Sequence, residues 1–157
     1  MSITIGQAVP QITAPATNQS EFNVREHRGQ FVVLYFYPKD DTPGCTTEGH
    51  DFNGLLSEFE TLNAKVYGIS RDSIKKHEKF KAKQGYNFEL ISDESEALCA
   101  LFDVIKLKKL YGKEYMGIDR STFIINPDGI LVQEWRKVKV PQHAQLVLDH
   151  LNQLTIS

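Results

Sequence analysis

Cysteine is scarce in this sequence, which contains only Cys45 and Cys99 among its 157 residues. Two cysteines are too few for the disulfide framework of a small secreted protein, and they fit a reducing compartment. They form no Cys-x-x-Cys motif, because Thr42 stands three residues before Cys45, and this argues against a thiol–disulfide oxidoreductase. The pair Cys45 and His50 has no further Cys or His close by in the sequence, so we expect no metal and no cofactor.

Long apolar runs and an excess of one charge are also missing. A membrane-spanning helix needs about 18 consecutive apolar residues, and no segment approaches that length. The first residues, MSITIGQAVP, lack the basic and apolar regions of a targeting signal. The net charge of −2 gives no reason to propose nucleic-acid binding. The Lys-rich residues 75–83 and 106–113 are interpreted as solvated faces. We therefore expect a soluble, cytoplasmic protein with neither nucleic-acid nor membrane partners.

The length favours one compact unit. A chain of 157 residues can bury a core without metal or disulfide bonds, and no internal repeat or low-complexity tract divides it. Residues 1–157 are therefore predicted to form a single domain.

The most informative stretch is residues 31–50. Residues 31–37 form an apolar run without polar alternation, which is typical of a central strand buried on both faces, and Pro38 ends it. After a short polar loop, Thr42 suits the position that caps a helix and Pro43 suits the first helical position. Cys45 then falls at the third position of the first turn.

This position favours an ionised thiol. Unpaired backbone N–H groups and the positive end of the helix dipole meet at the start of a helix, where they stabilise an anion such as a thiolate. Cys45 lies two turns before Phe52 on the apolar face, so the thiol is predicted to point inward, whereas His50 points toward solvent. That face repeats at helical spacing through Phe52, Leu55, Leu56, Phe59 and Leu62.

The remaining patterns predict alternating strands and helices. Residues 3–29 form an irregular, partly β arm, and residues 65–70 form a strand joined to the first by a parallel βαβ crossover. Asp93 and Glu96 fit a capping box that opens a short helix containing Cys99. The other predicted elements are a Lys-rich helix after Ser73, a strand at 88–91, a loop at 106–118, a hairpin of 121–125 with 130–136, and a closing helix from Pro141. This order indicates an α/β sandwich with a mixed β-sheet between helices.

Specific motifs in this framework resemble a known family. Pro38, Thr42 and Cys45 fit the Pro-x-x-x-Thr-x-x-Cys motif of the peroxiredoxins, and FYPKDDTPGCTTE resembles the Q-type subfamily, also called bacterioferritin-comigratory proteins. The resemblance implies a thioredoxin-like fold with an N-terminal β extension. It extends along nearly the whole chain through residues 68–70 with Asp72, 90–94, 115–118 with Arg120, and 126–130.

The resemblance also implies an activity. Members of the family are thiol-dependent peroxidases that reduce hydrogen peroxide and organic hydroperoxides without a cofactor, which assigns the peroxidatic thiolate and the sulfenic acid intermediate to Cys45. The thiolate attacks one peroxide oxygen while negative charge develops on the other, so the site must stabilise that charge. Preorganised donors aimed at such charge are worth about 100-fold to 1,000-fold each in comparable sites.

Carrying the family motif over assigns further roles. Thr42, the backbone amides of Gly44 and Cys45, and Arg120 are implied to bind the substrate. Thr42 can accept a hydrogen bond from the peroxide across one helical turn, and the charged fork of Arg120 can hold both the thiolate and the peroxide. Pro38 is implied to shield the site. Glu48 resembles a residue of the same motif that orients Arg side chains.

The sequence departs from the subfamily pattern at the resolving cysteine. Many Q-type members carry a second Cys five residues after the first, where this chain has His50, and others carry it in the following helix, where residues 74–84 contain none. Only Cys99 remains, and a buried core thiol is its alternative role. We therefore favour a one-Cys cycle in which an external thiol reduces oxidised Cys45, with a Cys45–Cys99 disulfide as the alternative.

Several alternatives remain open at this point. Cys45 oxidation could switch the binding of a partner, which makes the protein a redox sensor, or Cys45 could be inert in a structural thioredoxin-like domain. The expected partners are a peroxide and a thiol reductant such as glutathione, glutaredoxin or thioredoxin. For the oligomeric state we expect a monomer or a weak homodimer.

Overall fold

The structure is a computed structural model that describes residues 2–156. The strands are β1 (Thr13–Ala16), β2 (Ser20–Asn23), β3 (Phe31–Phe36), β4 (Ala64–Ser70), β5 (Glu89–Ser92), β6 (Ile105–Leu110), β7 (Lys113–Ile118), β8 (Ser121–Ile125) and β9 (Leu131–Trp135). The helices are α1 (Pro43–Gly54), α2 (Leu56–Thr61), α3 (Ile74–Gln84), α4 (Ala97–Leu101) and α5 (His143–Ile156), and Val24–His27 adds a 3₁₀ turn. None of the helices in this part of the chain is long and apolar enough to cross a membrane.

The predicted central strand lies near the middle of a mixed sheet. Seven strands follow the order β2-β1-β5-β4-β3-β8-β9. Strand β3 runs parallel to β4 and antiparallel to β8, and α1 and α2 form the crossover between β3 and β4. The parallel crossover and the α/β class predicted from the sequence are thus confirmed. The predicted arm contributes the antiparallel pair β1 and β2.

The sheet separates two hydrophobic cores. Successive side chains of a strand point to opposite faces, and β3 is buried on both. One core contains Cys45 and packs α1, α2, α3 and α5 against the face that bears Val33 and Tyr35. The other contains Cys99 and packs α4 and the N-terminal segment against the face that bears Val32 and Leu34. The two cysteines therefore lie on opposite sides of the sheet.

The prediction of a loop at residues 106–118 is wrong, because these residues form a hairpin. Strands β6 and β7 pair antiparallel from Ile105 with Ile118 to Leu110 with Lys113, outside the main sheet. The turn residues Tyr111 and Gly112 both have positive φ angles, of 51° and 76°, as a type I′ hairpin turn requires. The prediction failed because the apolar side chains of this hairpin face solvent. These exposed residues are Leu107, Leu110, Tyr111, Tyr115 and Met116.

The capping box predicted at residues 93–96 is also wrong in its detail. Helix α4 begins at Ala97, and the preceding Glu96 has a φ of 65° and makes no side-chain capping bond. Its carboxylate instead pairs with Arg71 at 2.9 Å. The Asp93 carboxylate accepts hydrogen bonds from the amides of Leu98 and Cys99, five and six residues on rather than three, so neither half of the predicted reciprocal motif is formed.

The last elements follow the prediction closely. Strands β8 and β9 form the predicted hairpin around the turn at residues 126–130. Helix α5 begins at His143, two residues after the Pro141 predicted to open it. Its apolar stripe packs into the core that contains Cys45 through Ala144, Val147, Leu148, Leu151 and Leu154.

Candidate active site

Cys45 lies where strand β3 delivers the chain into helix α1. The strand ends at Phe36, half-buried Pro38 follows, and α1 begins with Pro43 after Thr42 in the capping position. The first backbone bond of the helix runs from the Thr46 amide to the Thr42 carbonyl at 2.9 Å. The amides of Gly44 and Cys45 therefore precede the helical ladder. The Cys45 side chain points into the core with 2% of its surface exposed, as the sequence predicted.

Arg120 contacts this thiol although it lies 75 positions further along the chain. It lies between β7 and β8, and its carbonyl accepts a bond from the Val138 amide at 2.9 Å. One guanidinium nitrogen lies 3.4 Å from Cys45 Sγ, and another lies 2.6 Å from an oxygen of Glu48. A side chain on Gly44 would place its Cβ 3.2 Å from the guanidinium, so glycine here permits the close approach. The arginine thus bridges a thiol and a carboxylate.

Glu48 is a buried carboxyl whose burial and whose contact with Arg120 shift its pKa in opposite directions. Only 1% of its surface is exposed, and burial raises its pKa from 4.5 to about 7, although Arg120 acts in the opposite direction. One of its oxygens has no hydrogen-bond partner among the described residues, and the hydroxyl of Tyr35 is the other such buried atom. Burial, followed by the charge of Glu48, raises the pKa of Tyr35. Two polar groups without partners therefore lie in the core beside the thiol.

Thr42 occupies the capping position but does not cap the helix. Its hydroxyl makes no bond to a helical amide and donates to the Lys39 carbonyl at 2.8 Å. Because the hydroxyl proton is engaged in this way, the lone pairs of the oxygen remain available to accept a hydrogen bond. Thr42 is half-buried, so a small molecule that enters beside the first turn of α1 can meet it.

Cys99 is not part of this arrangement. It lies in the other core, fully buried, and both cysteines are free thiols. Burial raises the pKa of the Cys99 thiol, and a hydrogen bond to the Asp93 carboxylate raises it further. The structure therefore brings Cys45, Arg120, Glu48 and Gly44 together, places Thr42 immediately before the helix that contains Cys45, and leaves Cys99 on the far side of the sheet.

A polar cluster beneath the loop at residues 38–42 was missed by the sequence analysis. His77 in α3 has no exposed surface, and its ring lies 2.7 Å from the carboxylate of Asp40. The same carboxylate accepts a bond from the Tyr37 hydroxyl at 2.6 Å. Asp72 belongs to the cluster, since ligand-type atoms of Asp40, Asp72 and His77 lie within 4.8 Å of one another. No sequence signal pairs His77 with Asp40, which lies 37 positions away.

The site combines the groups needed to handle a small polar substrate at a thiolate. A guanidinium can stabilise an anionic sulfur and donate to a substrate oxygen. The amides of Gly44 and Cys45 add donors, and the Thr42 oxygen adds an acceptor. Charge that develops on a bound oxygen would therefore meet preorganised donors.

Comparisons with known proteins agree with this geometry. The model of the AhpC/TSA family matches residues 5–134. Peroxiredoxin Bcp of Xanthomonas campestris is 59% identical over 132 residues, which are 84% of this chain and 82% of that protein. Peroxiredoxin Bcp of Bacillus subtilis is 46% identical over 155 residues, or 99% of each chain. A solved structure of the Xanthomonas campestris bacterioferritin comigratory protein superposes with a TM-score of 0.88 at 53% identity and covers 92% of both chains.

These matches bear directly on the family and the fold. The family model spans most of the chain, and the two relatives exceed 45% identity over more than four fifths of it. The predicted thioredoxin-like α/β fold is confirmed by the solved relatives. This chain belongs to the AhpC/TSA family, as a peroxiredoxin of the Bcp or Q type.

Proposed function

We propose that this protein is a thiol-dependent peroxidase in which Cys45 is the peroxidatic residue. The observation that carries the proposal is the contact of 3.4 Å between the Arg120 guanidinium and Cys45 Sγ at the first turn of α1. A cation beside the sulfur and a helix start beneath it both favour the thiolate, which is the reactive form of cysteine. The membership of this chain in the peroxiredoxins supports the same activity.

In the first step, the Cys45 thiolate attacks the distal oxygen of a hydroperoxide. A sulfur–oxygen bond forms while the oxygen–oxygen bond breaks, so the sulfur is oxidised to sulfenic acid and the peroxide is reduced. The leaving alkoxide or hydroxide takes up a proton and departs as an alcohol or water. The enzyme must hold the reacting oxygens in line with the sulfur and stabilise the developing negative charge.

The surrounding groups divide these tasks. Arg120 stabilises the thiolate and donates to the peroxide, and Glu48 orients the guanidinium through their bond of 2.6 Å. The amides of Gly44 and Cys45 donate to the oxygens where charge develops. The Thr42 oxygen accepts a hydrogen bond from the O–H group of the peroxide, because its own proton is donated to a backbone carbonyl. Pro38 shields the site from bulk water.

In the second step, an external thiol regenerates Cys45. It condenses with the sulfenic acid to give a mixed disulfide and water, and a second thiol releases the Cys45 thiol and a disulfide product. This one-Cys cycle is supported by the burial of Cys99 in the opposite core and by the raised pKa of its thiol, since a protonated thiol is a poor nucleophile. Glutathione, glutaredoxin and thioredoxin are the candidate reductants.

The substrates are hydrogen peroxide and small organic hydroperoxides. The related Xanthomonas campestris protein was studied for its alkyl peroxide reduction activity, which supports the organic substrates. A direct test supplies each candidate reductant in excess and follows the consumption of hydrogen peroxide and of an organic hydroperoxide. We expect many turnovers with at least one reductant. Consumption of only one equivalent of peroxide per chain with every reductant would contradict a peroxidase and favour a redox sensor.

A further inference from the structure

The fully buried ring of His77 bonds at both of its nitrogens. Nδ1 lies 2.7 Å from a carboxylate oxygen of Asp40, and Nε2 lies 2.9 Å from the Ile91 carbonyl oxygen. A carbonyl oxygen only accepts, so Nε2 carries a proton. The contact between Nδ1 and the Asp40 carboxylate is a hydrogen bond only if a second proton lies between these two atoms. His77 thus fastens the loop at Asp40 to helix α3 and strand β5.

Asp40 is held firmly at three of its atoms. One carboxylate oxygen bonds to His77, and the other accepts from the Tyr37 hydroxyl at 2.6 Å. The Asp40 amide donates to the Asp72 carboxylate at 2.9 Å, and that carboxylate also accepts from the Ser70 hydroxyl at 2.6 Å. The residue is 7% exposed, so these bonds are largely protected from water. The position of Asp40 is therefore set by strands, helix and loop together.

The peptide group before Asp40 connects this cluster to the active site. The Lys39 carbonyl and the Asp40 amide belong to the same planar peptide unit. The amide donates to Asp72, and the carbonyl accepts the proton of the Thr42 hydroxyl at 2.8 Å. The orientation of this one unit therefore decides where the Thr42 hydroxyl points.

The loop needs such support because it contains an unfavourable backbone conformation. Asp41 has a φ of 61°, in the left-handed region, which Asp adopts more readily than most non-glycine residues but still at a cost in free energy. Such a residue persists only where its surroundings hold it. The exposed ion pair of Asp41 with Lys83 adds little, since surface pairs contribute weakly. The buried bonds of Asp40 are the main restraint on the loop.

We propose that His77 is a positioning residue for peroxide reduction, acting through Asp40 and the peptide unit at residues 39–40 on Thr42. This inference rests on the proposed function, because it assumes that the Thr42 oxygen accepts a hydrogen bond from the peroxide. His77 itself does not touch the substrate. Its role is to keep the Thr42 proton on the Lys39 carbonyl, so that the oxygen lone pairs face the peroxide.

The test compares two reactions of the same sulfur. Oxidation of Cys45 by hydrogen peroxide requires the Thr42 acceptor, whereas alkylation by iodoacetamide requires only an accessible thiolate. We expect His77→Gln to slow oxidation about tenfold or more and to leave alkylation at the same pH unchanged, since a small displacement of a reacting group is costly. A parallel fall in both rate constants would show a general structural role and overturn the proposal.

A double-mutant cycle tests the route through Thr42. If His77 acts through Thr42, adding His77→Gln to Thr42→Val causes no further loss of the oxidation rate. An equal loss from His77→Gln in both backgrounds would overturn the proposal. The matched control is His27→Gln, because the ring of His27 also bonds at both nitrogens, to Gln30 and Tyr67. This control lies in a different cluster and is expected to keep the wild-type oxidation rate.

Two further variants keep the test decisive. If circular dichroism shows that His77→Gln does not fold, Asp40→Ala takes its place, because its side chain accepts neither the Tyr37 nor the His77 bond, whereas the amide of Asp40→Asn can donate to His77 Nδ1 and keep both contacts. Wild-type oxidation rates in each folded variant would overturn the inference while the proposed function stands. Peroxidase activity retained by Cys45→Ser would instead overturn the proposed function itself.

Discussion

The two cysteines occupy the same position in two different helices. Cys45 is the third residue of α1, and Cys99 is the third residue of α4. Both are buried, with 2% and 0% of their surface exposed. A helix start and a hydrophobic core are therefore common to both thiols, and neither feature can explain a difference in their reactivity.

The two thiols differ in the charge of the side chain that lies beside each of them. The Arg120 guanidinium lies beside Cys45. At the start of α4, by contrast, the Asp93 carboxylate accepts hydrogen bonds from the amides of Leu98 and Cys99. Burial and this carboxylate raise the pKa of the Cys99 thiol. The first turn of a helix favours an anion, and at α4 a carboxylate already fills that role. The two thiols therefore differ in their neighbours: a cation contacts Cys45, whereas a carboxylate opposes the ionisation of Cys99.

Removing each thiol in turn should give the largest difference. Cys45→Ser is expected to lose peroxidase activity by about 1,000-fold or more, as hydrolases do when their nucleophile is removed. Cys99→Ser should keep most of the wild-type activity with an external reductant. Steady-state peroxide consumption measures both. Equal losses in the two variants would remove the proposed distinction between the thiols.

Removing the cation beside Cys45 should have the next largest effect. Arg120→Ala is expected to lower kcat/KM for hydrogen peroxide about 100-fold to 1,000-fold, because a preorganised donor to the developing charge is lost. Arg120→Lys should recover part of the loss by restoring the charge without the planar fork.

The matched control for this arginine is Arg136→Ala. Arg136 also makes several bonds, to the Phe102 and Asp103 carbonyls and to Glu134, but it lies away from the thiol. It should change stability without a large effect on kcat/KM. A wild-type rate for Arg120→Ala would exclude the guanidinium from the chemistry.

Glu48 should make the stability of the protein depend on pH. Because burial raises its pKa from 4.5 to about 7, the folded protein in this interval holds a proton that the unfolded chain has released. The contribution of Glu48 to the free energy of unfolding is therefore most favourable below pH 4.5, and falls as pH rises to 7. The difference of about 2.5 between the pKa values corresponds to about 3 kcal/mol.

Urea unfolding at pH 4.5 and pH 8 measures this effect. Glu48→Gln should gain about 3 kcal/mol relative to the wild type between the two values, and Glu60→Gln, at an exposed position, is the control. His143, whose pKa burial lowers to about 4, has the opposite pH dependence but contributes equally to every variant. A constant difference between Glu48→Gln and the wild type would mean that the carboxyl is ionised throughout the range.

Replacing Asp93, whose carboxylate lies at the start of α4, should have the smallest effect of these substitutions. Asp93→Asn removes the negative charge, so the pKa of Cys99 should fall toward its ordinary value. Stability should fall by about 1 to 2 kcal/mol, because the single oxygen of an amide cannot take the place of both carboxylate oxygens and one buried N–H loses its acceptor. Ultraviolet absorbance of the thiolate in a Cys45→Ser background, which needs no reagent to reach the buried sulfur, and urea unfolding measure the two changes. An unchanged thiolate absorbance as a function of pH would show that Asp93 has no control over this thiol.

The sequence predicted the region around Cys45 well, because both its strand and its helix bury regular apolar faces. The hairpin of β6 and β7 was missed for the opposite reason, since the exposed Leu107 and Leu110 break the inward pattern that marks a strand. The bonds of His77 to Asp40 and to Ile91 span 37 and 14 positions, and no local pattern signals them. Local periodicity therefore predicts elements, whereas polar contacts between distant elements require the fold.

The most direct test of the one-Cys assignment is intact-mass analysis after one equivalent of hydrogen peroxide, with a sulfenic-acid trap present. Wild type and Cys99→Ser should both carry a single trap adduct, and peptide mapping should place it on Cys45. Loss of two hydrogens in the wild type, absent from Cys99→Ser, would show a disulfide that includes Cys99. That result would contradict the separation of the two thiols by the sheet, because it requires the chain to open before Cys99 can reach Cys45.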